Sequence, residues 1–343
     1  DNAKLTYHQR FLLASLYFNV VDEYTIFLRR IQRTGEGSRY THTVIQQGTD
    51  QSFNLELVKG RDEQWRLQVP SRELLQNQLA LLLKARGQKE INPNRYLKLE
   101  SPRDTMRTFI EQVKKWDSGG KEHVVNTLNL SRSDPKIREW EAPILAQYLK
   151  QVLDRIKLII YQEIPNDPNS ELDYVFFHHP LGEIVIAPFE VDGKTRWQFT
   201  PETLSTISTL NEAMENLPLK EGILKLDNTT YFFALRHEAK KISSWLINKL
   251  FYLEIWQWLA IGLILFFALT VSLLFSTLTK RVLKNIPFTK DLNSEGMVLR
   301  YLRPMRLLTI GVIWSVGLIY IGIPEFLFVT LRLIGLILIT IGL

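Results

Sequence analysis

The 343 residues contain no cysteine, which excludes thiolate catalysis, disulfide bracing and cysteine-based zinc or iron–sulfur sites. Histidine is scarce, with six in all. His178-His179 and Glu183 lie among strands with no further ligand at a useful spacing, so strand and loop structure is the simpler account of them. His237-Glu238 opens as a zincin helix does, but Lys241 stands where the second histidine belongs. No G-x-S-x-G, Walker A or G-x-G-x-x-G run occurs. No residue is therefore assigned a catalytic, cofactor-binding or metal-ligating role, and the chain is expected not to be an enzyme.

Charge is missing from one end. Ile255 to Thr279 carries none, and Leu307 to Leu343 only Glu325 and Arg332. A bilayer core about 30 Å thick is crossed by roughly 20 apolar residues in a helix, so each run is long enough. The whole-chain mean hydropathy of −0.06 hides this unevenness. The charge balance splits the same way. Of the net +6, residues 255–343 supply +5, so the pI of 9.3 reflects membrane flanks and gives no nucleic-acid footprint.

The expected architecture is an α+β soluble region followed by an α-helical transmembrane segment. An N-terminal α+β module occupies 1–98, a helical plus α+β module 99–250, and spans of about 255–279, 307–323 and 326–343 fill residues 251–343. Apolar spacing predicts a helix from Tyr7 to about Arg33, ending at Thr34-Gly35-Glu36-Gly37, with Phe11–Val21 buried. Strands follow at 41–46, 53–59 and 64–69, then a helix to about Ala85. Asn92-Pro93-Asn94 marks a boundary. Ser101-Pro102-Arg103-Asp104 caps the next helix, and another starts at Pro143. Strands at 172–177, 183–188 and 194–200, the last two joined by Asp192-Gly193, lead to a helix opened by Thr200-Pro201. Gly119-Gly120 reads as a turn. Trp65 and Trp197 each follow a glycine turn and precede a proline-started helix, the pattern a duplicated hairpin-plus-helix module would leave.

The absence of a leader before Asp1 is read as a removed or omitted signal peptide, and the end at Leu343 without a polar tail as part of a longer chain. Trp256 and Trp258, with Trp245, Phe251 and Tyr252, form an expected headgroup-level belt. Ala268, Ser272 and Ser276 recur every fourth residue on the first span, and Gly311 and Ser315 on the second, giving each a small-residue face for close helix packing. Arg332 sits six residues past Phe326, where it can snorkel or pair with Glu325.

From residue 99 onward the chain resembles the N-terminal region of bacterial MscS-like (small-conductance mechanosensitive) channel proteins. The residues that carry the likeness are Ser101-Pro102-Arg103-Asp104-Thr105-Met106-Arg107-Thr108-Phe109, Leu128-Asn129-Leu130-Ser131, Leu149 to Arg155, Ile164-Pro165-Asn166-Asp167-Pro168, Asp192-Gly193 with Trp197-Gln198-Phe199-Thr200, and Leu253-Glu254-Ile255-Trp256-Gln257-Trp258-Leu259. The resemblance implies a homo-oligomer, a heptamer in that family, in the bacterial inner membrane. It would protect against hypo-osmotic shock as a tension-gated channel. The family's pore helix and cytoplasmic β domain are not in these residues, so no pore residue carries over. The competing class is a membrane-anchored periplasmic scaffold or ring component without conduction.

Between Lys280 and Arg306 there are seven Lys/Arg against Asp291 and Glu295, while the turn at Gly322-Ile323-Pro324-Glu325 has an acid and no cation. Short basic loops stay cytoplasmic, which places residues 280–306 in the cytoplasm and 1–250 in the periplasm. A cysteine at Ser294 should resist a membrane-impermeant thiol reagent in cells with a permeabilised outer membrane, and one at Ser118 should react; the reverse labelling pattern would invert the topology.

Overall fold

A computed structural model of the chain describes residues 5–27, 37–135, 138–220, 230–285 and 295–342. They form two compact units. The first comprises Asp1–Ser131 with Tyr148–Ile223, the second Arg132–Gln147 with Leu224–Leu343.

In the first unit, helix α1 (Tyr7–Asp22) begins at a capping box in which the Thr6 hydroxyl accepts from the Gln9 amide and the Gln9 side chain accepts from the Thr6 amide. One edge of α1 is buried. Leu13, Tyr17 and Val20 pack on Leu75 and Leu82 of α2 (Arg72–Ala85) and on Val44, Phe53 and Leu55 of a sheet. Phe11 and Phe18 stay exposed, so 11–21 is not the wholly buried segment its composition suggests. The sheet is an antiparallel meander of β1 (Arg39–Ile45), β2 (Ser52–Lys59) and β3 (Trp65–Gln68).

Helix α1 stops eleven positions short of Arg33 because the backbone beyond it is taken. The carbonyls of Asp22 and Tyr24 accept from Arg103, at 2.6 and 2.9 Å, and the Thr25 amide donates to Ile45 at 3.1 Å. The expected continuation over 28–33 and the turn at Thr34–Glu36 lie outside the described residues.

Arg103 belongs to α3 (Pro102–Val113), whose first turn is capped by the Ser101 hydroxyl. Gly119, at φ +99, turns the chain into α4 (Gly120–Asn126) where only a turn was expected. Helix α5 (Arg138–Ile156) starts five residues before Pro143 and ends before Ile160; its residues up to Gln147, Trp140 among them, belong to the second unit and the rest to the first. A second meander, β4 (Tyr174–His179), β5 (Gly182–Val191) and β6 (Lys194–Phe199), precedes α6 (Pro201–Met214). The free edge of β6 is covered, with the Trp197 amide donating to Leu99 and the Phe199 amide to Thr127, both at 2.8 Å. Phe109, Trp197, Phe199, Ile184, Ile207 and Leu210 are buried in this unit.

Two meanders, each followed by a helix, are present, but the tryptophans are not equivalent. Trp65 pairs with Lys59 beside its turn, whereas Trp197 pairs with Pro188, three positions beyond the Val191–Lys194 pair. An odd offset reverses the face in a strand. Trp65 is accordingly 40% exposed and Trp197 1%.

Nor does Asn92-Pro93-Asn94 divide compact units, as segments 1–98 and 99–250 would require. Arg103 also donates through Nε to the Ile164 carbonyl at 3.0 Å and through Nη2 to Thr25 at 2.9 Å. Arg107 holds Asp22 with two bonds of 2.8 and 2.7 Å. These bonds fasten the N-terminal segment to α3 and to the irregular segment 162–166.

The second unit contains α7 (Tyr231–Ile242), a short hairpin of β7 (Lys249–Leu250) and β8 (Leu253–Glu254), and the helices α8 (Ile255–Asn285), α9 (Glu295–Ile319) and α10 (Glu325–Gly342). Two stretches, Ile255–Val282 and Leu302–Ile319, are long and apolar enough to cross a membrane. The apolar part of α10, Leu327–Gly342, is shorter than these, so the third expected span does not reach their length. Helix α9 also starts well before Leu307 and carries Pro304 inside it. Residues 286–294 of the basic loop lie outside the described residues.

Arg103, wholly buried, has its pKa pushed down to about 10 by burial, which the Asp22 charge partly offsets. Burial alone would raise the Asp22 carboxyl, but the Arg107 bonds and the neighbouring arginine charges hold it below the usual range. Asp104 is raised by burial and titrates with the opposite sign. The stability due to Asp22 is therefore present above its unfolded pKa of about 4 and lost as pH falls through its lower folded value. Asp22→Asn should cost about 2 kcal/mol at pH 7. The gap from wild type should close on acidification, as read by thermal unfolding of the purified chain in detergent followed by tryptophan fluorescence. A pH-independent gap would show that the Asp22 charge contributes nothing.

Candidate functional site

At the head of α8 four buried polar side chains meet. Glu254, the last residue before the apolar run, accepts from Arg236 Nε at 2.8 and 3.1 Å and from Trp256 Nε1 at 2.6 Å. Gln257, one turn on, faces two ways: its Oε1 accepts from the Glu254 amide at 2.8 Å, and its Nε2 donates to the carbonyls of Ile321 and Gly322 at 3.0 and 3.1 Å. Ile321 and Gly322 lie in the turn between α9 and α10, so this chain of bonds ties α7, α8 and the α9–α10 turn together.

Apolar packing reinforces the tie. Phe232 of α7 lies 5.7 Å, centre to centre, from the Trp256 ring and against Gly322, where any Cβ would strike it. Gly322 also has φ +66, a conformation glycine adopts freely. Tyr231 meets Tyr320 edge to face at 5.5 Å. Trp256 is thus turned inward instead of joining an outward belt. Trp258 is partly exposed and donates to the Leu250 carbonyl at 3.1 Å, while Trp245, Phe251 and Tyr252 are exposed.

Below this head the helices touch through small residues. Ala268, Ser272 and Ser276 are buried while the residues around them, such as Phe267, Leu273 and Phe275, are exposed. Ser272 Oγ donates to the Arg306 carbonyl of α9 at 3.3 Å, and Ser276 Oγ has no hydrogen-bond partner among the described residues. Gly317 faces Ile264 of α8. The Gly311 and Ser315 face of α9 is turned to α10 instead: a Cβ on Gly311 would stand 2.7 Å from the Gly335 carbonyl oxygen, and one on Gly335 would strike Ser315 Oγ. Trp314 Nε1 donates to the Leu331 carbonyl at 2.7 Å. Helix α9 is therefore the middle member, with α8 on one side and α10 on the other.

Arg332 lies with its guanidinium carbon 5.7 Å from the Trp140 ring centre and 5.9 Å from that of Phe328. The Glu325 side chain, its expected partner, is outside the described residues.

Elsewhere, His178 and Glu183 pair across the β4–β5 hairpin, and His179 Nδ1 accepts from the Leu181 amide at 3.2 Å. Among the described residues no group of three His, Asp or Glu is placed to hold a metal ion. Glu238 and Lys241, at the failed zincin spacing, form an exposed ion pair of 2.7 Å, which lowers the Glu238 pKa.

Arg236 is not singled out by sequence patterns, and Glu254 and Gln257 appear there only within the run that carries the family likeness, with no role of their own. Their signal was an acid and an amide flanking the start of a charge-free run, Glu254 just outside it and Gln257 within it. A polar group there requires a partner, but the partner Arg236 is on a helix that periodicity did not reveal.

The glycine contacts separate two substitutions of the same chemistry. Gly311→Ala places a methyl against backbone and should lower stability by about 1–3 kcal/mol. Gly262→Ala, with nothing within 4 Å of its Cβ, should leave it unchanged or raise it by about 0.5–1 kcal/mol. Thermal unfolding in detergent compares them; equal effects would mean that α9 and α10 are not in close contact.

Comparison with protein-family models, with curated proteins and with solved structures found no match to this chain, so the site rests on its own geometry.

Proposed function

We propose that the chain is the periplasmic and membrane-sensor part of a tension-gated, MscS-like ion channel that protects against hypo-osmotic shock. Its residues 1–250 lie in the periplasm of a bacterium and its apolar helices in the inner membrane, and identical subunits surround a pore built by further sequence. The observation that carries this is the contrast between the two ends of α8. Its head is bound by buried charge and hydrogen bonds to α7 and to the α9–α10 turn, while its shaft meets α9 through Ala268, Ser272 and Ser276 and presents Leu263, Phe266, Leu274 and Leu278 outward.

A helix of that kind responds to the bilayer because its outward face is solvated by lipid. Stretching thins the bilayer and changes the cost of a given tilt by fractions of a kcal/mol per Å. Several subunits sum that small energy. The small-residue seam lets α8 shift along α9 without moving bulky side chains, and the polar head transmits the shift to α7. The exposed aromatics Trp245, Phe251, Tyr252 and Trp258 suit a headgroup-level layer at that end. The sequence likeness over 99–343 supports the same assignment.

The test is patch clamp of the full-length protein in liposomes under stepped suction. Tension-dependent current is expected. Ser272→Leu, which forces a larger side chain into the seam, should shift the opening threshold without preventing assembly, and substitutions at His178 should not. A protein that inserts and assembles yet passes no tension-dependent current would be a membrane-anchored scaffold.

A further inference from the structure

We propose that Arg332, with Trp140 and Phe328, forms a binding site for the phosphodiester headgroup of a membrane phospholipid. The site rests on the assignment of α10 to the membrane made above. Arg332 is the one cation between Leu307 and Leu343. Its guanidinium is flanked by the Trp140 and Phe328 rings, which themselves stand 6.3 Å apart. Rings satisfy the faces of a guanidinium but not its five N–H donors. Among the described residues no carboxylate or carbonyl oxygen takes those donors, and Arg332 has no interaction beyond the two rings. An arginine in an apolar helix is costly unless its donors are met, so a ligand that supplies anionic acceptors is favoured there.

Position and surroundings specify the ligand. Arg332 is seven residues past Glu325, about 10 Å along the helix, and its guanidinium leans back over Phe328, one turn nearer the head of α10. That is the end at which Gln257 bonds to the Ile321 and Gly322 carbonyls. The charge is thereby brought close to the level of the polar head, where lipid phosphates lie. A planar guanidinium binds a phosphate through two parallel N–H bonds. Val329, Leu333 and Leu336, on either side of Arg332 along the helix, are exposed and offer an acyl chain an apolar track. Phosphate and hydrocarbon together describe a phospholipid, whereas a free phosphate would use only the first.

Native mass spectrometry of the full chain in detergent tests this, with phosphatidylglycerol, diacylglycerol of the same acyl chains and inorganic phosphate as probes. Phosphatidylglycerol should bind at least about fivefold more tightly than diacylglycerol, and excess inorganic phosphate should not displace it. Arg332→Gln should reduce phosphatidylglycerol binding to the diacylglycerol level. Arg332→Lys, which keeps the charge and the fold, should fall between. Equal binding of the two lipids, an unaffected Arg332→Gln protein, displacement by phosphate, or the same loss in Glu325→Gln would each overturn the site. Carbonate washing of membranes separates the two levels of failure. A chain that washes out refutes the membrane assignment itself, whereas a chain that stays in the membrane without lipid selectivity refutes this site alone.

Discussion

The carboxylate of Glu254 is the constraint on which the second unit depends. It is buried at the head of the charge-free run that opens α8, where an unpaired ion costs several kcal/mol, and it is satisfied by Arg236 and Trp256 with Gln257 beside it. None of these partners can leave singly, because removing one member of a buried pair costs about 3–5 kcal/mol. The consequence is mechanical. Helix α7, the first turn of α8 and the turn between α9 and α10 behave as one joint, stiffened by Phe232 between Trp256 and Gly322.

Arg103 plays the same part in the first unit by other means. Its guanidinium is entirely buried and donates mostly to backbone carbonyls, those of Asp22, Tyr24 and Ile164, so the charge is spread over peptide dipoles, and the nearby Asp22 carboxylate, itself held by Arg107, favours it. A neutral side chain at 103 would strand several carbonyls at once. This explains why two segments far apart in sequence fold as one compact body, although each has its own sheet and helix. The arginine replaces what would otherwise be a linker.

Local signals were legible and long-range ones were not. The caps at Ser101 and Thr200, the strand alternation and the Asp192-Gly193 turn all act within a few residues, and the elements they announce are present within two or three positions. The end of α1 was missed because it is set by Arg103, some eighty positions away. Helix α7 escapes periodicity because its buried face, Phe232, Phe233, Arg236 and Ala239, includes a charge, which pairs with Glu254. The apparent repeat around Trp65 and Trp197 failed for a related reason. Composition records which residues follow a turn, but the distance from the turn decides which face they occupy. At the candidate site the small residues could be read from spacing, yet not which helix each face meets: α8 gives its face to α9, and α9 gives its Gly311 face to α10.

That arrangement distributes resistance unevenly along α8. At its head, separation means breaking charge-assisted hydrogen bonds in a buried setting, a matter of several kcal/mol. Along the shaft, a shift exchanges dispersion contacts worth about 0.1–0.2 kcal/mol per atom pair and one hydrogen bond from Ser272. A load of a few tenths of a kcal/mol per Å, the scale on which a bilayer acts through thickness, is too small to open the head and comparable to the cost of sliding the shaft. The serines favour that sliding, because a hydroxyl facing a neighbouring helix can change carbonyl partners as register shifts. Ser276 is buried with its hydroxyl unpartnered among the described residues. In the tension-sensing role proposed above, a helix fixed at the head and able to slide along its shaft converts a small lateral load into tilt about its polar end, and the joint with α7 is where that tilt is passed on.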